Sequence, residues 1–445
     1  MKFVQPILDE TRMTENLTTL PVRELARQIS SGKFSAAEVT AAFIKRIEAS
    51  ASIQAWQFFD PDLAMQQARA VDAGHRAGPL AGVPIGVKDL IDTADMPTTY
   101  GSAIYVGYRP HHDAACVAQS RQLGAVMMGK TVVTEFAAFQ PGPTRNPRSP
   151  AGTVHTPGGS SSGSAAAVAA GMVPLAFGTQ TAGSIVRPAA FCGVVGYKPT
   201  IGCVSGVGVK ALAPTLDTVG VLARTVDDAA YFIGALTRSA LTPQPVPGLR
   251  VGVCRTPLWQ HADDDTRRVL EEGVRGFEQA GATVSDVILP AAFERLHDAQ
   301  ITIMGYEAAA AFAPETQSDA DKFSPSFKRL LDQGRQITGE AYAQARQLAA
   351  SLQGDMAQIF ASFDVLLAPS TAGEAPQGIE STGDPLFNRM WTLLGNPCIH
   401  VPIGKGATHM PVGVTVVGAL YDDARALSAA AMLESVMPNP NENDQ

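Results

Sequence analysis

Two hydrophobic periodicities alternate along the chain, one typical of helices and the other of strands. Apolar residues recur at helical spacing after Ser35 and after Thr225, and an acidic residue follows each of these three positions later, as at a capped helix start. Short alternating or apolar runs, which predict strands, cover 80–90, 249–254 and 283–289. A helical pattern separates the last two, an order typical of a βαβ crossover, so we predict the α/β class.

Long helical patterns follow over 291–363, and strand-like runs at 365–367 and 412–417 return the chain to a sheet. No internal repeat or Pro-rich break marks a domain boundary. We therefore expect one domain over 15–438 and a flexible polar tail at 439–445.

Composition and charge argue against several function classes. The 445 residues carry a formal net charge of -8 and contain no basic run, so no nucleic-acid partner is expected. The first 17 residues contain three acids and no apolar stretch typical of a secretory signal, which predicts a cytoplasmic protein. The weakly polar stretch over 165–178 is shorter than the roughly 20 residues of a membrane helix, so no membrane partner is expected.

The five cysteines are scattered, without a CxxC pair or a zinc-ligand spacing. They are Cys116, Cys192, Cys203, Cys254 and Cys398. We interpret them as ordinary buried thiols and expect neither a metal site nor a cofactor.

Three segments concentrate the residue types that nucleophilic catalysis needs. Lys88 lies in GVPIGVKDL, Ser160 in GGSSSGS, and Ser184 ends GTQTAGS. Each is weak evidence by itself, because a lysine near a strand end is usually solvated and a Gly/Ser cluster is usually a turn. Apolar residues are interspersed through 157–208, which predicts close backbone packing rather than a flexible linker.

Together these segments resemble the amidase signature family. PGGSSSGSAAAVAAG and GTQTAGSIVRPAAFCGVVGYKPT, within 157–200, are similar to its signature almost residue for residue, and Ser184 follows Ser160 by 24 positions, as in the family. Weaker similarity extends over nearly the whole chain, with a signature core at about 80–225. The resemblance implies a hydrolase of C–N bonds and a single large domain with a central twisted mixed β-sheet covered by helices on both faces.

The resemblance also implies Ser184 as the nucleophile, Lys88 as the base, and Ser160, held by a cis peptide, as the proton bridge between them. A serine hydroxyl must lose its proton as it attacks an amide carbon. Lysine accepts a proton only when it is neutral, so the pKa of this lysine must lie below the ordinary value of about 10.4, which burial can cause.

The turn before the nucleophile is similar to the family's oxyanion loop, which implies a backbone role for Thr181, Ala182 and Gly183. The family most often has glycine where this chain has Ala182 and Ser162. Because alanine tolerates fewer backbone conformations than glycine, the oxyanion geometry is the part of the resemblance that these departures put in question.

Three further residues are candidates for substrate contact. Arg187 could pair with a substrate carboxylate, and an internal ion pair that holds the signature loop is the alternative. Phe136 and Ala137 match a stretch that lines the acyl pocket in relatives, and a core role explains them equally well.

Three functions remain open from the sequence. The first is an amidase whose partner is a small-molecule substrate, namely an amide or also a carbamate or ester. Whether such an enzyme forms a homodimer is left open by the sequence. The second is the glutaminase-like A subunit of a tRNA-dependent amidotransferase, which works only in a complex. The third is an α/β-hydrolase esterase with Ser161 and His400, since GSSSG satisfies GxSxG. The segments 291–335 and 371–393 are predicted to shape the pocket, without naming its substrate.

Overall fold

A mixed sheet of eleven strands runs through the computed structural model, which describes residues 17–437 and Pro440. The strands are β1 (Trp56–Phe59), β2 (Pro84–Lys88), β3 (Val126–Thr131), β4 (Leu175–Gln180), β5 (Val195–Lys198), β6 (Thr218–Ala223), β7 (Arg250–Val253), β8 (Thr283–Asp286), β9 (Val365–Pro369), β10 (Cys398–Lys405) and β11 (Pro411–Gly418). Their order across the sheet is β1-β3-β2-β4-β6-β5-β10-β11-β9-β7-β8. Strand β2 is parallel to β3 and β4, and β7 is parallel to β8 and β9, whereas the other neighbours are antiparallel.

Helices cover both faces of this sheet, so the predicted architecture is confirmed. They are α1 (Val22–Ser30), α2 (Ala36–Ala49), α3 (Pro61–Asp72), α4 (Ala115–Gln122), α5 (Ser162–Ala169), α6 (Val186–Cys192), α7 (Val226–Thr237), α8 (Asp264–Gln279), α9 (Leu296–Ala311), α10 (Ala313–Asp319), α11 (Pro325–Gln336), α12 (Gly339–Ser362), α13 (Arg389–Leu394) and α14 (Asp423–Val436).

Separate hydrophobic cores lie on the two faces of the central strands. Along β4, Phe177 packs into one core, where its ring centroid lies 5.0 Å from that of Phe232 on α7, and Ala176 packs into the other. Successive side chains of a strand point to opposite faces. On β2 the same alternation places Val87 in the first core and leaves Lys88 on the face of Gly86, whose backbone approaches Ala176.

The elements predicted from periodicity are present. Ser35 forms the predicted capping box at the start of α2, and the Thr225 hydroxyl accepts a hydrogen bond from a backbone amide in the first turn of α7. The predicted strands at 80–90, 249–254 and 283–289 contain β2, β7 and β8. Strands β7 and β8 are parallel and are joined by α8, which confirms the crossover.

Some predictions fall outside the described residues. The predicted domain limits, 15 and 438, and all of the predicted tail except Pro440 lie there, so both stay predictions.

Within the described ranges, no helix combines the length and the apolar character that crossing a membrane requires. Cys203 is exposed, contrary to the prediction that all five cysteines are buried, because it lies in the turn that follows β5.

Candidate active site

Lys88 is the last residue of the central strand β2, which lies between β3 and β4. Its side chain is fully buried, and Nζ lies 2.8 Å from the hydroxyl oxygens of both Ser160 and Ser161. On β4, Thr179 contributes its hydroxyl at 2.7 Å and its carbonyl oxygen at 3.2 Å. Because β2 and β4 are parallel, their carboxyl ends meet at one edge of the sheet and bring these groups together.

The surroundings of Lys88 disfavour its charged form. The four contacts of Nζ are hydroxyl or carbonyl oxygens, and no carboxylate of the described chain pairs with it. Burial lowers the pKa of Lys88 well below its ordinary value, while Asp217 opposes this lowering and Arg187 adds to it. A neutral amine keeps a lone pair that can accept a proton from a neighbouring hydroxyl. The arrangement is therefore suited to a base.

Ser160 follows a cis peptide bond, Gly159–Ser160, as the resemblance implies. The helix that begins two residues later, α5, lies directly against the chain that leaves β3. Gly163 permits this approach, since a Cβ there would lie 2.3 Å from the Val132 nitrogen. Instead, the Gly163 amide donates to the Val132 carbonyl at 2.9 Å. This contact fixes the start of α5, and with it the two serines, against the centre of the sheet.

Ser184 lies in the turn between β4 and α6 and is 6% exposed. The Gln180 side chain shapes this turn, because its Oε1 accepts hydrogen bonds from the amides of Ile185 and Val186 at 2.8 and 3.0 Å. No described residue hydrogen-bonds the Ser184 hydroxyl, and no hydrogen bond joins it to Ser160. The structure thus joins Lys88 to Ser160 and leaves the second link, from Ser160 to Ser184, open.

Three backbone amides of this turn, those of Ala182, Gly183 and Ser184, find no hydrogen-bond acceptor in the described part of the chain. Free donors that converge on one turn are suited to stabilising an oxyanion. The turn is held through its carbonyl groups instead, since the Thr392 hydroxyl donates to the Ala182 carbonyl at 2.6 Å.

Thr181 is anchored on two sides. Its hydroxyl donates to the Asp217 carboxylate at 2.5 Å, and its carbonyl accepts from Gln300 Nε2 at 2.9 Å. The same carboxylate accepts from the amides of Leu212 and Ala213 at 2.8 and 3.1 Å. Burial raises the pKa of Asp217 to about 6, although these hydrogen bonds act in the opposite direction. The side chain of Thr181 therefore positions the turn.

The two departures from glycine are accommodated. Ala182 has no positive φ, so its backbone needs no glycine. Ser162 begins α5, and its hydroxyl donates to the Val132 carbonyl at 3.3 Å. Gly183 is different, because a Cβ there would lie 2.8 Å from the Pro385 Cβ. The family's glycine matters in this turn at Gly183 and not at Ala182.

Arg187 binds backbone carbonyl groups. Its Nε and Nη2 donate to the Gly159 carbonyl at 3.2 and 2.7 Å, and its Nη1 donates to the Gly383 carbonyl at 2.6 Å. The side chain forms no ion pair with a described residue, and Arg187 is 3% exposed. These contacts favour the internal role over substrate binding, with carbonyls in place of the expected carboxylate. Arg187 joins the segment of Ser160 to the helix that follows Ser184.

Phe136 and Ala137 lie in a short turn after β3. Phe136 is fully buried, and its ring centroid lies 4.7 Å from that of Phe312 and 5.0 Å from that of Phe327. Ala137 is buried in the same core. The core interpretation accounts for both residues.

The esterase arrangement does not form. His400 Nδ1 lies 2.7 Å from the Ser370 hydroxyl, whereas Ser161 binds Lys88. Burial lowers the pKa of His400 to about 3, which keeps this imidazole neutral. His155, which is close to Ser160 in sequence, contacts Thr153 through its ring.

Sequence reasoning missed several residues that build the site. Ser161 and Thr179, which contact Lys88, lie inside the motifs already quoted and could have been found there. Asp217, Gln300 and Thr392, which hold the turn before Ser184, lie far from it along the chain. No local pattern marks these three residues, because only the fold brings them to the turn.

Comparisons with known proteins agree with this geometry. A family model described as Amidase matches residues 38–427. The A subunit of glutamyl-tRNA(Gln) amidotransferase from Thermobifida fusca (strain YX) is 35% identical over 96% of this chain and 97% of that protein. A crystal structure of an amidase superposes with a TM-score of 0.86 at 29% identity, covering 94% of this chain and 100% of that chain. The structure of the native peptide amidase from Stenotrophomonas maltophilia superposes with a TM-score of 0.78 at 30% identity, covering 95% of this chain and 98% of that chain. The chain therefore belongs to the amidase signature family and is an enzyme that acts on C–N bonds.

Proposed function

We propose that this chain hydrolyses the C–N bond of a small amide through an acyl-enzyme on Ser184, with Lys88 as the base and Ser160 as the proton bridge. One observation carries the proposal: a fully buried lysine amine lies 2.8 Å from the hydroxyl of Ser160 and has no carboxylate partner among the described residues. Burial of this kind favours the neutral amine that a base must be.

In the first half-reaction, Ser184 Oγ forms a bond to the amide carbon as its proton passes to Ser160, while Ser160 passes its own proton to Lys88 Nζ. The oxygen of the amide becomes an oxyanion, which the free amides of Ala182, Gly183 and Ser184 stabilise. The C–N bond then breaks, and the amine leaves with the proton that returns from Lys88 through Ser160.

In the second half-reaction, water attacks the acyl group and passes a proton to Lys88 by the same route. The ester bond to Ser184 breaks, the oxygen of Ser184 regains a proton, and the carboxylic acid is released. The relay requires the Ser184 hydroxyl to reach Ser160 in the substrate complex. Catalytic hydrogen bonds are often long in unliganded enzymes and shorten in the substrate complex.

A substrate panel tests the proposal. The purified chain is assayed with aryl amides, aliphatic amides, carbamates and esters, and the acyl-enzyme is sought by intact-mass spectrometry. We expect turnover of amides, a mass increase equal to the acyl group, and loss of both in the Ser184→Ala variant. Turnover that survives in Ser184→Ala would contradict the assignment, and the relative rates decide between amides, carbamates and esters.

A second function rests on one observation, the 35% identity over nearly the full length with the A subunit of an amidotransferase. In that case the chain works with protein partners, and a tRNA enters the reaction, against the expectation that no nucleic acid is bound. Co-purification tests this alternative. A chain that is inactive alone on every amide, and that gains activity with the proteins that co-purify with it, would support this partner-dependent function.

A further inference from the structure

Two buried arginines lie beside residues 181–184, the turn that carries Ser184 and is called the nucleophile turn below. Arg187 is 3% exposed and Arg389 is 7% exposed, and neither forms an ion pair with a described residue. The carboxylate whose charge acts on both is that of Asp384, which is exposed and forms an ion pair with neither. Burial and the nearby charge of Arg389 together lower the pKa of Arg187 to about 9, while the charge of Asp384 opposes this lowering.

Other arginines with little exposed surface pair with acids in this fold. Arg121 lies 2.6 Å from Asp95 and 3.0 Å from Asp113, and Arg224 lies 3.9 Å from Asp228. A buried charge without a partner is costly, so unpaired cations inside a protein are rare. Arg187 and Arg389 differ from these two arginines, because neither has an ion-pair partner among the described residues.

Arg389 is also connected directly to the turn. Its Nη1 donates to Gln300 Oε1 at 2.5 Å, and the other end of that amide donates to the Thr181 carbonyl at 2.9 Å. Asn388, the preceding residue, packs on Gly183, where a Cβ would lie 3.1 Å from the Asn388 Cβ. One side chain thus separates the guanidinium group of Arg389 from the proposed oxyanion loop.

One edge of the Arg389 guanidinium group is left without a hydrogen-bond acceptor among the described residues. With Nη1 bound to Gln300, the edge formed by Nε and Nη2 has no acceptor within the described chain, and Nε is buried. A carboxylate can accept two parallel hydrogen bonds from such an edge. The neighbouring His297 contributes no negative charge, and its Nδ1 is likewise buried without a partner.

We propose that Arg389 binds a carboxylate of the substrate, so that the preferred substrates are amides that carry a carboxylate group a few bonds from the scissile carbonyl. This inference rests on the proposed amidase function, and it names the substrate class of that site. The carboxylate supplies the ion-pair partner that Arg389 lacks among the described residues. Arg187, whose donors hold the Gly159 and Gly383 carbonyls, adds positive potential without contacting the substrate.

The test compares matched ligands that differ only in whether they carry the carboxylate group. Succinamate and glutaramate are paired with butanamide and pentanamide, in which a methyl group replaces the carboxylate. Calorimetry with the Ser184→Ala variant measures binding without turnover. We expect the anionic amide of at least one pair to bind about 10- to 100-fold more tightly, as for hydrogen bonds to a charged group.

Variants then assign the preference to Arg389. In the Ser184→Ala background, Arg389→Gln should reduce the ratio of affinities to about one, and Arg389→Lys should keep part of it. Arg335→Gln is the control, because it removes one positive charge from an exposed position paired with Asp332. Circular dichroism and thermal melting check that each variant is folded.

Equal affinities within both pairs would overturn the inference, and so would a ratio that Arg389→Gln leaves unchanged. Should Arg389→Gln not fold, Arg389→Lys and competition by free succinate against the wild-type enzyme decide in its place. Turnover separates the two proposals. If neutral and anionic amides are hydrolysed with equal efficiency, the proposed carboxylate site is wrong and the proposed amidase function stands. If anionic amides bind tightly and no amide is hydrolysed, the amidase function itself is contradicted.

Discussion

Ser160 and Ser161 form a matched pair for testing the proton relay. Each hydroxyl lies 2.8 Å from Lys88 Nζ, and both serines are buried. Ser161 also accepts a hydrogen bond from the Thr179 amide at 3.3 Å. Replacing either serine by alanine removes a hydrogen bond to the same amine, at a cost of about 0.5–1.5 kcal/mol in the free energy of unfolding. Ser161→Ala should therefore be the less stable of the two variants, because it also leaves the buried Thr179 amide without this acceptor.

Their activities should differ, because only Ser160 is proposed to carry a proton. Proton transfer by a positioned group contributes about 10²–10⁴-fold, so Ser160→Ala should lower kcat by about that factor. This loss corresponds to about 3–5 kcal/mol of activation free energy. Ser161→Ala should lower kcat less than about tenfold, since it removes only one net hydrogen bond from the base.

A double variant tests whether Lys88 and Ser160 act as one unit. When two residues act as a unit, replacing both lowers kcat little more than replacing one of them. We expect the double variant Lys88→Met and Ser160→Ala to have about the kcat of the slower single variant. Independent roles would instead lower kcat by about 10⁴–10⁸-fold in the double variant. The assay measures kcat on the best amide of the panel, and urea denaturation measures stability. Equal losses of kcat in Ser160→Ala and Ser161→Ala, with both variants folded at the assay temperature, would refute the relay.

Three further outcomes are expected. Since only neutral Lys88 accepts a proton and burial lowers the pKa of Lys88, kcat/KM should rise with pH to a midpoint well below the ordinary value of about 10.4; a midpoint near that value excludes this base. Asp217→Asn removes a negative charge that raises the pKa of Lys88, so the same midpoint should move to lower pH, and a move to higher pH contradicts the electrostatic account. Gly183→Ala places a Cβ 2.8 Å from the Pro385 Cβ, which displaces the free amides of the turn. This variant should lower kcat by about 10²–10³-fold, with KM less affected, and near-normal kcat argues against an oxyanion role for the turn.

Local sequence patterns were sufficient to predict individual helices and strands and to find the motifs. The capping box at Ser35, the N-cap at Thr225 and the alternation along β2 were predicted correctly, because caps and strand faces depend on residues a few positions apart. The same alternation placed Lys88 on the face with small neighbours. Local signals were also overlooked: α3 begins after Asp60, which caps it, with a proline at the first position, and it was not predicted.

The order of the strands in the sheet could not be predicted from the sequence. A hydrophobic pattern shows which face of a strand is buried, and it does not name the neighbouring strand. Short strands such as β5 and β6, within a region rich in glycine and alanine, have weak patterns and were missed. Their pairing is decided by contacts between residues far apart along the chain.

For the site, the sequence by itself supplied the candidate catalytic residues, because Lys88, Ser160 and Ser184 lie in motifs of contiguous residues. Only the tertiary structure decided what each polar group contacts. Arg187 was expected to pair with a carboxylate and instead holds two backbone carbonyls, while Arg389, which no pattern marked, is left with a free edge beside the nucleophile turn. The reason is physical. A charged side chain takes whatever partner the fold brings within about 3 Å, and that partner is selected by long-range packing that a one-dimensional pattern does not contain.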